Sequence, residues 1–191
     1  IYTSGSTGTP KGVGISHRAL ASHIEDYTQK FMISSEDRIL QFSSLNFDAS
    51  VEQIFSSCSQ GSQLVVMPPN VVWDAEELGE FLHRTQVTVA YLPGSYFQHV
   101  SREVEKWADG LRLTLTGAEA LPSDIASHWL KSVGSHKPLL NTYGPTETTV
   151  TISDHQVSDH DASCVSVPLG RAFPSRSVII IDRDGSAVPV G

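Results

Sequence analysis

Tyr2-Thr3-Ser4-Gly5-Ser6-Thr7-Gly8-Thr9-Pro10-Lys11-Gly12-Val13 is the stretch on which the reading of this chain turns. A short β-prone start runs into a loop with five hydroxyls, three glycines and one lysine, and a helix signal follows at Ser16. Glycines let backbone N–H groups approach an anion closely. The hydroxyls donate to phosphate oxygens, and Lys11 adds a point charge. This predicts a cradle for a polyphosphate. It is not a Walker A loop, which needs Gly-Lys followed by Ser or Thr, whereas Pro10 precedes Lys11 and Gly12 follows it. A flexible Ser/Gly linker is the plainer alternative. A linker has no need of Pro10-Lys11-Gly12 in front of an ordered helix.

Working outward, short β-rich runs alternate with helical ones. Ser16 is placed to cap a helix with apolar positions Leu20, Ile24, Tyr27 and Phe31. Strands are expected at Arg38–Ser43, Gln63–Met67, Val87–Leu92, Leu111–Thr116, Pro138–Asn141 and Ser177–Asp182, the last closed by a turn at Asp184-Gly185. Between them, Val51, Ile54, Phe55 and Cys58 fall at helical spacing after Asp48. Asp74-Ala-Glu-Glu opens a helix whose Leu78, Phe81 and Leu82 face a core, with acidic residues favouring its N-terminal dipole. Pro122-Ser-Asp starts another helix through Trp129 and Leu130. Alternation of this kind predicts an α/β fold with partly parallel sheets covered by helices. Ligands of such sheets sit at the carboxyl ends of the strands. The loops after Tyr2, Ser43, Leu92, Thr116 and Thr142 are therefore expected around one site.

The 191 residues carry 13 Lys+Arg against 21 Asp+Glu, a net charge of −8. An acidic balance argues against non-specific nucleic-acid binding, which needs a basic face. It leaves room for a small anion held by local donors. No run approaches the roughly 18 apolar residues of a membrane span, and no basic-plus-apolar leader is evident, so a cytoplasmic setting is expected. Cys58 and Cys164 make no disulfide or metal spacing and are expected as buried apolar residues. His155 and His160 flank Asp159 and Asp161, but Asp154–Asp161 reads as a solvated loop rather than a metal site. Trp73, Trp107 and Trp129 read as core or rim packing. Both ends read as cuts through a longer protein.

The opening loop closely resembles the signature loop of the adenylate-forming superfamily, which includes acyl-CoA synthetases, firefly luciferase and nonribosomal peptide synthetase adenylation domains. Asn46-Phe-Asp-Ala-Ser50 and Asn141-Thr-Tyr-Gly-Pro-Thr-Glu-Thr-Thr149 agree with that pattern in order and spacing. Together the three segments resemble an amino-acid-activating adenylation domain over the whole chain. The resemblance implies that residues 1–191 are part of the large N-terminal domain of that fold, with further sequence on both sides and a small C-terminal domain beyond. It also implies that the isolated segment activates amino acids poorly.

The roles that follow are those the resemblance implies. Thr3, Ser4, Gly5, Ser6, Thr7, Gly8 and Lys11 cover the ATP β- and γ-phosphates. Tyr143 stacks on adenine, Asn141 bonds its exocyclic amine, and Gly144 belongs to the same nucleotide floor. Gly117 and Ala118 lie at the adenine edge, Ala118 where the family often has a second glycine. Thr146 meets the α-phosphate, and Glu147 helps hold Mg²⁺, for which a carboxylate is a suitable hard ligand. Asp48 pairs with the substrate α-ammonium, although its place before a helix would also suit a cap. Phe47 packs near the substrate carboxylate. The side-chain pocket is lined by Ala49, Glu52, Tyr91, Leu115, Gly117, Thr142, Val150 and Thr151. A Glu52 carboxylate at its wall favours a polar or basic substrate such as lysine or ornithine. In the competing arrangement Glu52 faces solvent and Tyr91 restricts the pocket to a small residue. The expected partners are an amino acid, a phosphopantetheinyl carrier domain and condensation domains, with no nucleic acid and no membrane. A carboxylate–CoA ligase of the same superfamily and a non-catalytic nucleotide-binding remnant are the alternatives.

Overall fold

The computed structural model describes residues 1–3, 9–69 and 71–188. Its centre is a seven-stranded sheet in the order β4-β3-β5-β6-β7-β8-β9. Strands β3 (Arg38–Gln41), β4 (Gln63–Val66), β5 (Val89–Pro93), β6 (Leu113–Gly117) and β7 (Leu139–Tyr143) run parallel. Strands β8 (Ser153–Gln156) and β9 (Arg171–Ala172) add an antiparallel edge. A separate two-stranded hairpin pairs β1 (Tyr2–Thr3) with β2 (Lys11–Gly12).

Side chains on a strand alternate between faces, and this alternation builds two cores. Ile39, Val89, Tyr91, Leu113, Leu115 and Leu140 meet Tyr27 and Phe31 of α1 (His17–Lys30) and Ala49 of α2 (Ala49–Gln60). Leu40, Ala90, Leu92 and Leu139 face the other way. There they meet Leu78, Phe81 and Leu82 of α3 (Ala75–Thr85), Phe97 of α4 (Gly94–Val100) and Trp129 of α5 (Ser123–Ser132). Both faces of the parallel sheet are thus covered, as parallel strands require.

Local chemistry sets several boundaries. Ser16 Oγ accepts from the Ala19 amide at 3.2 Å and starts α1. Asp74 forms a full capping box: its carboxylate accepts from the Glu76 and Glu77 amides, and Glu77 accepts from the Asp74 amide at 3.1 Å. Arg112 donates to Asp37 Oδ1 at 2.7 Å and to Phe31 and Met32 carbonyls at 3.2 Å, joining the start of β6 to the end of α1 and the start of β3. Burial pushes the Asp37 carboxyl up. Bonds from Arg112, the Ser34 amide and the Thr88 hydroxyl outweigh that and hold it below the ordinary carboxylate range.

Four expectations change. On α2 the buried residues are Ala49, Ser50, Glu52, Gln53, Ser56 and Ser57, not the apolar row. Polar side chains face inward because they satisfy one another and the backbone: Gln53 accepts from the Ser43 amide and donates to the Ser43 hydroxyl, both at 3.1 Å. Phe55 is left 47% exposed, facing a groove shared with Leu20, Ala21 and Ile24 of α1. Cys58 is exposed on that same outward side, and Cys164 is exposed after the turn 159–163, so neither cysteine is a core residue. Residues 177–182 form no extended strand; a single antiparallel bridge joins Ile181 to Ala187, flanked by bonds from the Val188 amide to the Ile180 carbonyl and from the Asp182 amide to the Ser186 carbonyl. The segment 154–161 is not a solvated loop: β8 occupies its start, and Asp161 is held by His155 and the Ser158 amide.

Candidate nucleotide and substrate site

The opening loop enters and leaves through the β1–β2 hairpin, with Thr3 opposite Lys11 in register. Antiparallel pairing closes the loop at its base, and Lys11 stays exposed there. The expected phosphate ligands Ser4, Gly5, Ser6, Thr7 and Gly8 lie outside the described residues.

Phe47, Asp48, Ala49, Glu52, Tyr91, Ala118, Thr142, Gly144, Val150 and Thr151 line one small cavity of about 30 Å³ at the carboxyl end of the parallel strands. They come from the start of α2, from β5, from the turn after β6 and from β7 with the turn behind it. Leu115 and Gly117, expected in the lining, do not reach it. Leu115 points into the α1-side core. Gly117 lies against β7, where a Cβ would stand 2.5 Å from the Thr142 carbonyl. It therefore acts by letting β7 approach. Ala118, expected at the adenine edge, lines the cavity and has φ +68°. That left-handed backbone is costly for any residue with a Cβ and explains why glycine suits the position.

The turn between β7 and β8 is tightly built. Gly144 sits against Val150, where a Cβ would come 1.7 Å from the Val150 carbonyl. Thr149 and Val150 both take positive φ, +68° and +61°. A β-branched residue rarely does so, and this strained pair folds the chain back over the cavity. Asn141 donates to the Val167 and Pro168 carbonyls at 3.3 and 2.9 Å, while its buried Oδ1 has no partner. Tyr143, 44% exposed, and the exposed Glu147 stand on the outer side of the turn.

Asp48 does not cap α2: its backbone is helical, and no side-chain cap bond forms. Instead its Oδ2 accepts from the Thr146 hydroxyl at 2.5 Å. The contact spans 98 positions of sequence and ties the second signature segment to the third. Glu52 is 2% exposed and points inward, so the solvent-facing arrangement is not found. Its Oε1 accepts from His23 Nε2 at 2.7 Å and from the Thr151 amide at 3.0 Å. Tyr91 lies beside both acids. Burial, then the Glu52 and Asp48 carboxylates, push its hydroxyl well above the ordinary tyrosine value. The sequence reading passed over His23. The only signal was its place four residues before Tyr27 on the buried side of α1.

A parallel sheet covered on both faces, with an acid-bearing cavity at the carboxyl edge of its strands, defines a ligand-binding α/β class. The AMP-binding enzyme family model matches residues 1–191, and the chain belongs to that family. It is 34% identical to an isonitrile lipopeptide synthase of Streptomyces coeruleorubidus, over 96% of this chain and 13% of that protein. It is 35% identical to gramicidin S synthase 2 of Brevibacillus brevis, over 100% of this chain and 4% of that protein. Among solved structures it resembles the Vibrio cholerae adenylation domain AlmE in complex with glycyl-adenosine-5'-phosphate. The TM-score is 0.84 and the identity 33%, covering all of this chain and 37% of that one. PA1221, an NRPS protein containing adenylation and PCP domains, matches with TM-score 0.86 and 26% identity over 98% of this chain and 37% of that one. The chain thus spans a small part of its curated relatives and about a third of these solved chains.

Proposed function

We propose that residues 1–191 are part of an adenylation domain that activates an amino acid with ATP and passes it to a phosphopantetheinyl carrier domain. The observation that carries this reading is Asp48: an acid at the cavity, freed from capping, bonded to Thr146 of the nucleotide segment. In the reaction the amino-acid carboxylate attacks the α-phosphorus of ATP. The new bond is carboxyl O–P, the bond broken is Pα–O, and pyrophosphate leaves. The acyl group then moves to the carrier thiol, releasing AMP. A carboxylate is already nucleophilic, so positioning and charge stabilisation suffice.

Asp48 would pair with the α-ammonium, displacing the Thr146 hydroxyl toward the α-phosphate. The unpartnered Asn141 Oδ1 suits the adenine amine, and the exposed Tyr143 ring suits stacking. Thr3, Ser4, Gly5, Ser6, Thr7, Gly8 and Lys11 would hold the outer phosphates. Glu147, an exposed carboxylate on this turn, fits as the protein ligand of Mg²⁺. Bound there, the ion would neutralise charge on the phosphates. AlmE's glycyl-adenosine-5'-phosphate supports an amino-acid adenylate. PA1221's adenylation and PCP domains support a carrier partner.

The segment would sit within a larger domain. The apolar groove between α1 and α2 and the exposed Val178–Ile181 run support flanking sequence of the same protein covering them. Among the described residues no helix is long and apolar enough to cross a membrane.

The test is Asp48→Ala in a chimaera that supplies the flanking segments from a relative. Amino-acid-dependent ATP–pyrophosphate exchange should fall by about 100-fold or more, the effect of removing one partner of a desolvated charge pair. The low background exchange with amine-free acids should be unchanged. Unchanged amino-acid exchange would remove the role assigned to Asp48, and a parent that exchanges with amine-free acids alone would move the chain to the carboxylate–CoA ligase alternative.

A further inference from the structure

Asp48 carries the proposed amine contact, yet it makes no cap bond that would tie its side chain to α2. What fixes its place lies further along the helix, at Gln53. This side chain is buried, lines no part of the cavity, and meets the segment that follows β3. Its Oε1 accepts from the Ser43 amide and its Nε2 donates to the Ser43 hydroxyl, both at 3.1 Å. A backbone N–H only donates, so the orientation of the Gln53 amide is settled. Gln41, the last residue of β3, donates to the Ser43 carbonyl. All three polar groups of the buried Ser43 are thus held by two glutamine side chains. From there the chain is exposed through residues 44–47. It turns on a bond from the Phe47 amide to the Ser44 carbonyl, and the Val51 amide then bonds the Asp48 carbonyl, both at 2.9 Å.

We propose that Gln53 is a positioning residue for Asp48. Its two bonds to Ser43 set where α2 begins against the end of β3, and so aim the Asp48 carboxylate at the cavity where the substrate ammonium enters. The inference rests on the amino-acid reading above and adds to it a residue outside the cavity. Two bonds from one side chain to one residue fix both distance and rotation, whereas a single bond leaves a pivot. The aim of Asp48 depends on that fixing, because its carboxylate is tied to the facing turn, through the Thr146 hydroxyl, and not to its own helix. Helix α2 also turns the Gln53 amide inward while Phe55 stays outside. A buried amide is costly unless paired. Here the pairing falls on the segment that leads to Asp48, and a fully paired buried network specifies one arrangement of the chain.

The experiment is ATP–pyrophosphate exchange by the flanked chimaera, with KM and kcat measured separately for ATP and for the amino acid that drives the parent best. The proteins are the parent, Gln53→Met, Gln53→Glu, Ser43→Ala, Asp48→Ala and the double variant Asp48→Ala/Gln53→Met. Methionine keeps the volume and removes both bonds. The amino-acid KM should rise about tenfold or more, because a misplaced binding group is expensive, while the KM for ATP stays unmoved. Glutamate keeps both bonds, with the Ser43 hydroxyl turned to donate, and should restore the parent KM. With Asp48 already removed, Gln53→Met should change the remaining exchange by less than about twofold, since the two residues act as one unit. A purely structural Gln53 would lower kcat by reducing the folded fraction and leave both KM values unmoved, which overturns the proposal. Gln53→Glu as poor as Gln53→Met overturns it, and so does an equal effect with and without Asp48. If Gln53→Met does not fold, Ser43→Ala decides. It removes one of the two bonds and should raise the amino-acid KM by about fivefold, the worth of one hydrogen bond; an unmoved KM overturns the proposal. Parent exchange driven by amine-free acids alone defeats the amino-acid reading and this inference with it. That failure is told apart from a wrong role for Gln53 by the absence of any amino-acid signal in the parent.

Discussion

At the scale of single residues, the site depends on atoms that are missing as much as on those present. Gly144 has no Cβ where one would lie 1.7 Å from the Val150 carbonyl. Gly144→Ala must therefore push Val150 and Thr151 outward, and Thr151 would release Glu52. A loss of about 2–3 kcal/mol of stability is expected from this overpacking, measured by urea unfolding of the flanked chimaera. A change below about 0.5 kcal/mol, the range of an ordinary surface substitution, would contradict the close approach. Several of these residues were legible in sequence because each is unusual in type at its place: Asp48 ahead of an apolar row, Gly144-Pro145 after a strand, Lys11 in a glycine-rich loop. Glu52 was legible as an acid near the pocket but not as a paired one. Its partner His23 is 29 positions away, and no periodicity joins them.

At the scale of elements, the parallel strands and the helices α1, α3 and α5 follow from their apolar periods and caps. Two limits of that reading have physical causes. Helix α2 was read from its apolar row, yet the side turned inward is Ser50, Gln53, Ser56 and Ser57. A polar face can be the buried one when hydrogen bonds to a neighbouring segment satisfy it, and such bonds leave no period in the sequence. The edge strands β8 and β9 are short and polar; they pair through backbone bonds and carry little side-chain signal. The elements are also locked by charge. Asp37 is held below its ordinary value in the fold, so its contribution is present above the unfolded carboxylate range and is lost as pH falls through its lower folded value. Arg112→Leu removes the main partner. The acid unfolding midpoint should then move to higher pH, followed by circular dichroism across pH 2 to 6 (a range of about four pH units bracketing ordinary carboxylates). An unmoved midpoint would mean that Arg112 contributes nothing to that bond.

At the scale of the whole molecule, the second and third signature segments, far apart in the chain, arrive at one edge of one sheet. The register of β5, β6 and β7 sets Pro93, Gly117 and Thr142 level, with Tyr91 two positions earlier on β5 and Ala118 one position past β6, and the Thr146–Asp48 bond joins this edge to the start of α2. This convergence was legible as a rule about parallel sheets before any contact was known. What the sequence could not supply was the cavity's size, which depends on how deeply Tyr91 and the strained Thr149–Val150 turn enter it. The most direct test of the account is ATP–pyrophosphate exchange by the flanked chimaera against a panel of amino acids and amine-free carboxylic acids. The account predicts exchange driven by an amino acid and little or none by acids that lack an amine. Exchange driven by amine-free acids alone would contradict it and remove the role assigned to Asp48.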